Sequence, residues 1–261
     1  MRRPGNHRWI SLLACAVLLA PVRAQAPSHP SPEMYGQPKP VESFQLSVEW
    51  RLVRAGTATL TRTPQPGGSW QADLHLESTG LVSKLYRVND DYRTFYDSGF
   101  CADTTYMKAE EGSRRRETSI IYHRDTRKLN YLERDLVKNS IALQKELDIP
   151  DCVHDIVAAL NRLRSLKLPV GQLTHLPVTD GKRVVSARIE AQEKEKITTP
   201  AGTFDTVRYE ANLFNDVLYK RKGRLLLWLS DDDRKVLVQV RVRLGFPVGT
   251  ISLQLEKLGS G

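Results

Sequence analysis

Soft metal ligands and long apolar runs are what this 261-residue chain has least of. It holds three cysteines and three methionines, and no apolar run reaches the ~20 residues that a membrane-spanning helix needs. One cysteine, Cys15, sits in the N-terminal apolar run, and the other two are too few for a zinc site. There is no Gly-X-Ser-X-Gly elbow, no His-Glu-X-X-His and no glycine-rich phosphate loop ahead of Lys-Ser/Thr. The local signatures of serine hydrolases, zinc proteases and nucleotide-binding enzymes are therefore missing. Triads assemble from distant residues, so catalysis of that kind stays open. His123 lies beside Asp125 and His154 beside Asp155, but neither pair makes a motif. No catalytic, cofactor-binding or metal-binding residue is assigned, and no cofactor is expected.

At the N-terminus Arg2, Arg3, His7 and Arg8 precede an apolar run from Trp9 to Ala20, and the small residues Ala24 and Ala26 follow, one apart. That order is the shape of a secretory signal peptide, with cleavage expected after Ala26 or Ala24 and a periplasmic destination. The competing readings are an uncleaved anchor, or a lipoprotein signal at Leu12-Leu13-Ala14-Cys15. Lipidation is disfavoured because few apolar residues precede Cys15 and the run continues past it. Residues 27–43, with prolines at 27, 30, 32, 38 and 40, read as an extended leader. Residues 44–258 read as a single β-rich domain.

The formal charge is +9 from 39 basic and 30 acidic residues, and removal of residues 1–26 takes away four arginines, leaving 35 against 30. An excess this mild and this dispersed suits an anionic lipid or lipopolysaccharide surface better than nucleic acid, which calls for a concentrated stripe. Without Cys15, Cys101 and Cys152 form an even pair in an oxidising compartment, and a disulfide between them is expected. Two buried thiols, or a nucleophilic cysteine with His154 as its base, are the competing readings.

From Phe44 onward the dominant signal is alternation, as in Phe44-Gln-Leu46-Ser-Val48-Glu-Trp50 and Trp70-Gln-Ala72-Asp-Leu74-His-Leu76. Twelve further runs of this kind follow, from Ala55–Thr61 to Thr250–Leu258, with turn chemistry at Pro66-Gly67-Gly68, Asp125-Thr126-Arg127 and Asp180-Gly181. Val153, Ile156, Val157, Leu160, Leu163 and Leu166 instead recur at three- and four-residue spacing behind Pro150-Asp151. That pattern predicts an amphipathic helix with Asp151 as N-cap, Cys152 in its first turn and His154 on its polar, exposed side. Leu81–Tyr86 is a candidate for one more helical turn. The expected fold is mainly β: a curved antiparallel sheet or partly open β-barrel with one amphipathic helix packed against it.

Two segments, Thr199-Pro-Ala-Gly-Thr-Phe-Asp-Thr206 and Leu227-Trp-Leu-Ser-Asp-Asp-Asp-Arg234, carry a resemblance to a known family. Together with the early glycine of Ala55-Gly56-Thr57-Ala58, the run Asp151-Cys-Val-His-Asp155 and the late Gly249-Thr250-Ile251, the chain resembles the bacterial exported domain of unknown function 3108 family. The resemblance implies an envelope location and a β-rich fold, and carries no catalytic residues.

The same motifs have plain structural readings. Pro200-Ala201-Gly202 suits a tight turn. Trp228, amid leucines, suits a core or concave-face position. Asp231-Asp232-Asp233 and Arg114-Arg115-Arg116 suit a solvated turn and a solvated strand entrance, because three consecutive carboxylates splay apart where a calcium loop needs converging oxygens. Glu193-Lys194-Glu195-Lys196 suits protection of a strand against edge pairing. The leading functional expectation is a non-enzymatic periplasmic binder or carrier of a lipid, a glycolipid or another amphipathic envelope molecule. A structural adaptor gripping another envelope protein by a sheet edge, and an envelope-polymer hydrolase, are the alternatives. Nucleic acid is not an expected partner, whereas peripheral membrane contact is compatible with the charge. A carrier needs an apolar cavity, an adaptor an unprotected edge, and a hydrolase a cleft where histidine and carboxylates converge.

Overall fold

The structure, a computed structural model, describes residues 41–260, so the expected signal peptide, its cleavage site and most of the Pro-rich leader lie outside the described residues. Fourteen strands follow one another as β1 (Glu42–Trp50), β2 (Val53–Pro64), β3 (Trp70–Ser78), β4 (Val88–Tyr96), β5 (Ala102–Glu111), β6 (Arg114–His123) and β7 (Lys128–Asp135). Then come β8 (Ser140–Asp148), β9 (Leu173–Thr179), β10 (Val184–Thr199), β11 (Gly202–Ala211), β12 (Gly223–Ser230), β13 (Leu237–Leu244) and β14 (Thr250–Ser260). Helix α1 (Gly80–Leu85) lies between β3 and β4, and α2 (Ile156–Ser165) between β8 and β9.

Sequential strands pair antiparallel, and β1 also pairs with β14, so the sheet runs β8 through β1 to β14 and on to β9. The ring is broken at one place, between β8 and β9, where α2 is inserted. Alternation decides the faces: Phe44, Leu46, Ala58, Leu60, Ala72 and Leu255 are buried inside, and their strand neighbours face out. β1 takes in Glu42 and Ser43, which the sequence reading left in the leader; Glu42 pairs with Ser260 and its carboxylate holds Arg164.

The strand order explains two of the family-like motifs. Gly56 sits where β2 crosses β3 so closely that a Cβ would stand 2.1 Å from Glu77 O, which excludes any larger residue there. Pro200 and Ala201 make the β10–β11 turn, and Gly202 follows with φ of 127°, a conformation open to glycine. Glu193–Lys196 falls on the part of β10 beyond its pairing with β9, where one edge has no strand neighbour. The alternating charges there protect an open edge.

The helix differs from its expectation at its start. Asp151 is exposed and pairs with Arg127, whereas Asp155 is the N-cap, its Oδ1 accepting from Val157 N and Ala158 N. Residues 152–154 lie outside the helix, and His154 makes a β-bridge with Val178. Val153 O accepts from Ala102 N, His154 N donates to Pro177 O, and Thr179 N donates to His154 O, so this short piece bridges β5 and β9 across the broken ring. The apolar spacing of Val153 with Ile156 and Val157 therefore reflects two different elements that face one core. His154 is accordingly buried, at 3 % exposure, and does not lie on a solvated helix face. Cys101 and Cys152 are linked beside this bridge, Cα to Cα 5.0 Å, with Cys152 ahead of the helix and outside its first turn.

Two more contacts draw the broken ring together. Gly181 in the β9–β10 turn packs so tightly on β6 and β7 that a Cβ would stand 2.5 Å from the Tyr131 ring and 2.6 Å from Ile120. Lys182 reaches Glu133 at 3.2 Å. A small second core of Ile120, Tyr122, Leu129, Tyr131 and Val153 lies beneath them.

Candidate functional site

Helix α2 lies against the concave face of the sheet and is tied down at both ends. At its start Asp155 Oδ2 accepts from Thr94 Oγ1, which in turn accepts from Thr105 Oγ1. Tyr122 Oη lies 3.5 Å beyond Thr105. Asp155, Thr94 and Thr105 are all buried, so each hydroxyl and carboxylate oxygen must be matched inside the protein. Burial raises the Tyr122 and Tyr92 hydroxyls above the ordinary tyrosine value, and the nearby Asp155 charge adds to it. At its end Arg164 donates to both oxygens of Glu42 at 2.7 Å and to Lys235 O, and its guanidinium stacks 4.8 Å from the Phe44 ring.

Between α2 and the sheet is a partly open cavity of about 200 Å³, lined by Leu46, Leu60, Leu74, Ile156, Leu160, Leu163 and a dozen further apolar residues from α2 and from the stretch between β9 and β14. Among the described residues no charged or amide side chain lines it. Left unfilled, an apolar void of that size would forgo up to about 5 kcal/mol of contacts, a large part of a domain's net stability. Its volume exceeds the ~150 Å³ that accommodates a benzene ring and falls short of the ~300 Å³ of ordinary small-molecule pockets. It therefore suits the end of a hydrocarbon chain or a small ring, with the rest of the molecule outside.

Beside the cavity the lining turns cationic. Arg62 follows Leu60 on the inner side of β2, stands opposite Glu42 in the β1–β2 register, and stacks 3.7 Å from the Trp70 ring centroid. Burial lowers its pKa from the usual arginine value, and Arg164 adds to the effect. Tyr96 faces the same guanidinium, and burial pushes its hydroxyl up to about 12. Neither Arg62 Nε nor Tyr96 Oη makes a well-formed hydrogen bond among the described residues. Arg164 takes both oxygens of Glu42, so Arg62 stands opposite a carboxylate that is already held. Composition and spacing gave no sign of this grouping, because Glu42, Arg62 and Arg164 are far apart in sequence.

Where the inner face is less covered, Asp90 looks into the interior opposite Leu76 and Ala109, accepting from Glu110 N at 2.9 Å. Burial lifts its pKa from 3.8 to about 6, with the charges of Glu111, Asp91 and Glu110 adding to the lift. The folded state thus holds this proton more tightly than the unfolded chain, so stability falls as pH rises from about 4 to about 6. Asp90→Asn, which keeps the acceptor, is expected to stabilise the protein by about 1 kcal/mol at pH 7.5, after allowance for water at the half-buried carboxyl. Below about pH 4 the gain should vanish. Urea midpoints of both proteins across that range are the check, and a gain that does not depend on pH would refute the assignment.

His154 has the opposite linkage. Its Nδ1 donates to Phe100 O at 2.6 Å, and burial holds its pKa below the usual 6.5. The ring is placed as a neutral brace, fixed by the bridge on either side, and among the described residues no nucleophile is paired to it. Cys152, the partner that a thiol mechanism would use, is bonded to Cys101.

The outer face of β2 to β7 carries a separate, polar groove of about 780 Å³ that includes His75, Asp91, Arg93, Tyr106, Lys108 and Glu117. His75 Nδ1 is 2.8 Å from Asp91, and Arg93 Nε 2.5 Å from Asp73. These are cross-strand neighbours, with His75 and Asp91 both largely in water, so the groove is a ladder of solvated pairs and lacks the dry interior that strengthens acid–base chemistry. Trp228 is buried as expected, yet its indole donates to Glu195 Oε1 and Arg241 stacks on it, so it is enclosed by charged side chains. Asp231–Asp233 form the β12–β13 turn, where Asp232 accepts from Ser230 Oγ and Arg234 N. Among the described residues no cluster of three or more metal-ligating side chains occurs.

No curated protein matches the chain. Among solved structures it is similar to a β-barrel-like protein of domain of unknown function 1849 from Brucella abortus, at 9 % identity and a TM-score of 0.57 over 84 % of this chain and 97 % of that one. That likeness supports the barrel-like fold alone. A proposed lipoprotein from Parabacteroides distasonis matches at 11 % identity and a TM-score of 0.35, over 87 % of this chain and 98 % of that one. A proposed exported protein from Bacteroides fragilis matches at 9 % identity and 0.37, over 87 % and 99 %. The family model described as a protein of unknown function, DUF3108, matches residues 45–256, nearly the whole described domain, and the chain belongs to that family.

Proposed function

We propose that this chain is an exported, non-enzymatic binder of an amphipathic envelope molecule whose apolar end lies in the cavity beneath α2 and whose anionic end meets Arg62. The observation that carries the reading is the all-apolar chamber of about 200 Å³, which an acyl chain end would fill at a gain in contacts. Arg62, opposite a Glu42 that Arg164 already holds, favours an anionic head over a neutral one. Export rests on the N-terminal Arg-rich and apolar segments followed by Ala24 and Ala26.

The test is titration of the purified chain with a fluorescent polyene fatty acid, alongside Ala187→Phe. Ala187 lines the cavity and is 1 % exposed, so the added ring occupies the chamber. Saturable binding by the parent and a loss of about tenfold or more in the variant are expected, since several buried methylenes are displaced. Equal binding by both, or none by the parent, would sink the proposal. Circular dichroism of the variant separates a filled cavity from a failed fold.

The adaptor reading has its own supporting observation. Among the described residues β8 pairs with β7 alone, and most of its residues are exposed on both faces. Lys145 and Glu146 on that edge oppose strand addition, which is why the cavity takes precedence.

A further inference from the structure

In an up-and-down sheet all odd-to-even connections lie at one rim. Here that rim consists of residues 51–52, 79–87, 112–113, 136–139, 180–183, 212–222 and 245–249. Contacts tie neighbouring loops of this rim to one another. Trp50 Nε1 donates to Val248 O, Gly245 N to Lys222 O, Gly112 N to Arg87 O, and Arg183 Nη1 to Val217 O. The rim holds nine lysines and arginines against two acidic residues, while the connections of the opposite rim, 65–69, 97–101, 124–127, 149–172, 200–201 and 231–236, hold seven of each. The mild charge excess of the chain is therefore concentrated at one end.

The same rim bears most of the exposed large apolar side chains of the described residues. Leu52 is 94 % exposed and Phe246 95 %, and Leu81, Leu85, Val53 and Val137 stand out as well. Leu52 is doubly unfavourable where it sits. It is one of two central residues of the β1–β2 turn with positive φ, Arg51 at 50° and Leu52 at 67°, a conformation for which Asn-Gly is the preferred pair. Folding alone would select neither a leucine at that φ nor an apolar tip in water.

The geometry points to this rim as a docking surface for an anionic lipid bilayer. Apolar tips of this size enter the acyl boundary, and the lysines and arginines around them, among them Lys84, Arg87, Lys138 and Lys220-Arg221-Lys222, meet the lipid phosphates. An acidic protein partner would match the charge but would not account for isolated protruding tips on separate loops, since a protein interface buries its apolar residues as a contiguous centre. The inference stands apart from the cavity, because none of the tips named lines it.

The experiment is co-sedimentation of the chain starting at Pro27, so that the apolar run of residues 9–20 cannot itself insert, with phosphatidylcholine vesicles lacking or containing phosphatidylglycerol. Binding is expected to the anionic vesicles only, and to weaken as salt shortens the screening length from ~10 Å at 0.1 M to ~3 Å at 1 M. Leu52→Gly with Phe246→Ser should lower affinity by about tenfold or more. Neutralising Lys220, Arg221 and Lys222 to alanine should cost roughly fivefold per charge. Leu173→Ser, at the start of β9 away from the rim, should leave binding unchanged. Leu52→Gly alone should raise the urea midpoint while lowering vesicle affinity, because glycine accepts the positive φ. Absence of vesicle binding, equal binding to neutral vesicles, or rim variants that bind like the parent would each overturn the inference.

Discussion

Asp155→Ala is expected to lower the stability of the folded domain by about 3 kcal/mol, through two losses that fall on one residue. The first is the cap of α2, since Oδ1 accepts from Val157 N and Ala158 N, and loss of such a cap costs about 1 kcal/mol. The second is the buried acceptor of Thr94, whose hydroxyl would keep only the longer 3.3 Å contact to Thr104 O, at a cost of about 1–3 kcal/mol. Asp155→Asn keeps the cap acceptor and offers Thr94 a donor, so it should recover most of the loss. Urea unfolding of the two variants measures the contrast. If both lose the same amount, charge and not hydrogen-bond satisfaction is what matters at that position. Helix α2 forms one wall of the cavity, so Asp155→Ala should also weaken fatty-acid binding, whereas Asp155→Asn should not.

The second large effect is at the disulfide. The bond closes a loop with a sequence separation of 51, for which the chain-entropy account gives about 4 kcal/mol, and measured losses on removing a native bond run from about 2 to 5 kcal/mol. Cys101→Ser with Cys152→Ser is expected to fall in that range. The loss should concentrate at the bridge of residues 152–154, which joins β5 to β9 where the ring of strands is broken. Faster hydrogen exchange at Ala102, His154 and Thr179, whose amides make that bridge, would show it. Intact mass under non-reducing conditions must also show a two-hydrogen deficit. A mass of two free thiols, or a stability indifferent to reductant, would remove the bond from the account.

A binder that docks by one rim would meet lipid at the end where its interior is least covered. Toward that rim Val48, Leu76, Leu225, Val240 and Leu253 are only partly buried, whereas Arg62, which the anionic end is proposed to meet, lies beside Trp70 and Tyr96 toward the opposite rim. The two proposals remain separable. Fatty-acid binding in solution reports the cavity, and vesicle sedimentation of cavity-filled protein reports the rim.

Fourteen alternating runs in the sequence correspond to fourteen strands, and the helix predicted behind Pro150 exists, because period two and period 3.6 are properties of short stretches that each bury one face. Boundaries suffered where an apolar residue served a different element. Val153 faces the second core from a bridge, so the helix begins at Ile156 with Asp155 as cap, and His154 is drawn inside with it. Likewise β10 runs on to Thr199 through a stretch of alternating charges, because β11 offers it a partner there and the solvated edge tolerates them.

What the sequence determined by itself is what local chemistry carries: strand and helix content, the turns at Pro66-Gly67-Gly68 and Asp180-Gly181, the paired Cys101 and Cys152 as candidates for a bond, and the membership signalled by Thr199–Thr206 and Leu227–Arg234. The tertiary structure alone decided which charges meet. The formal excess looked dispersed because connections along a meander alternate between opposite rims, and the pairing of β1 with β14 aligns the two halves so that Lys220 joins Arg51, Lys84 and Lys138 at one end. The cavity and the grouping of Glu42, Arg62 and Arg164 arise in the same way, from strands that curve around a helix inserted at the one unpaired junction. Such features depend on contacts a hundred or more residues apart, as between Glu42 and Arg164, and no periodicity in a single chain segment encodes them.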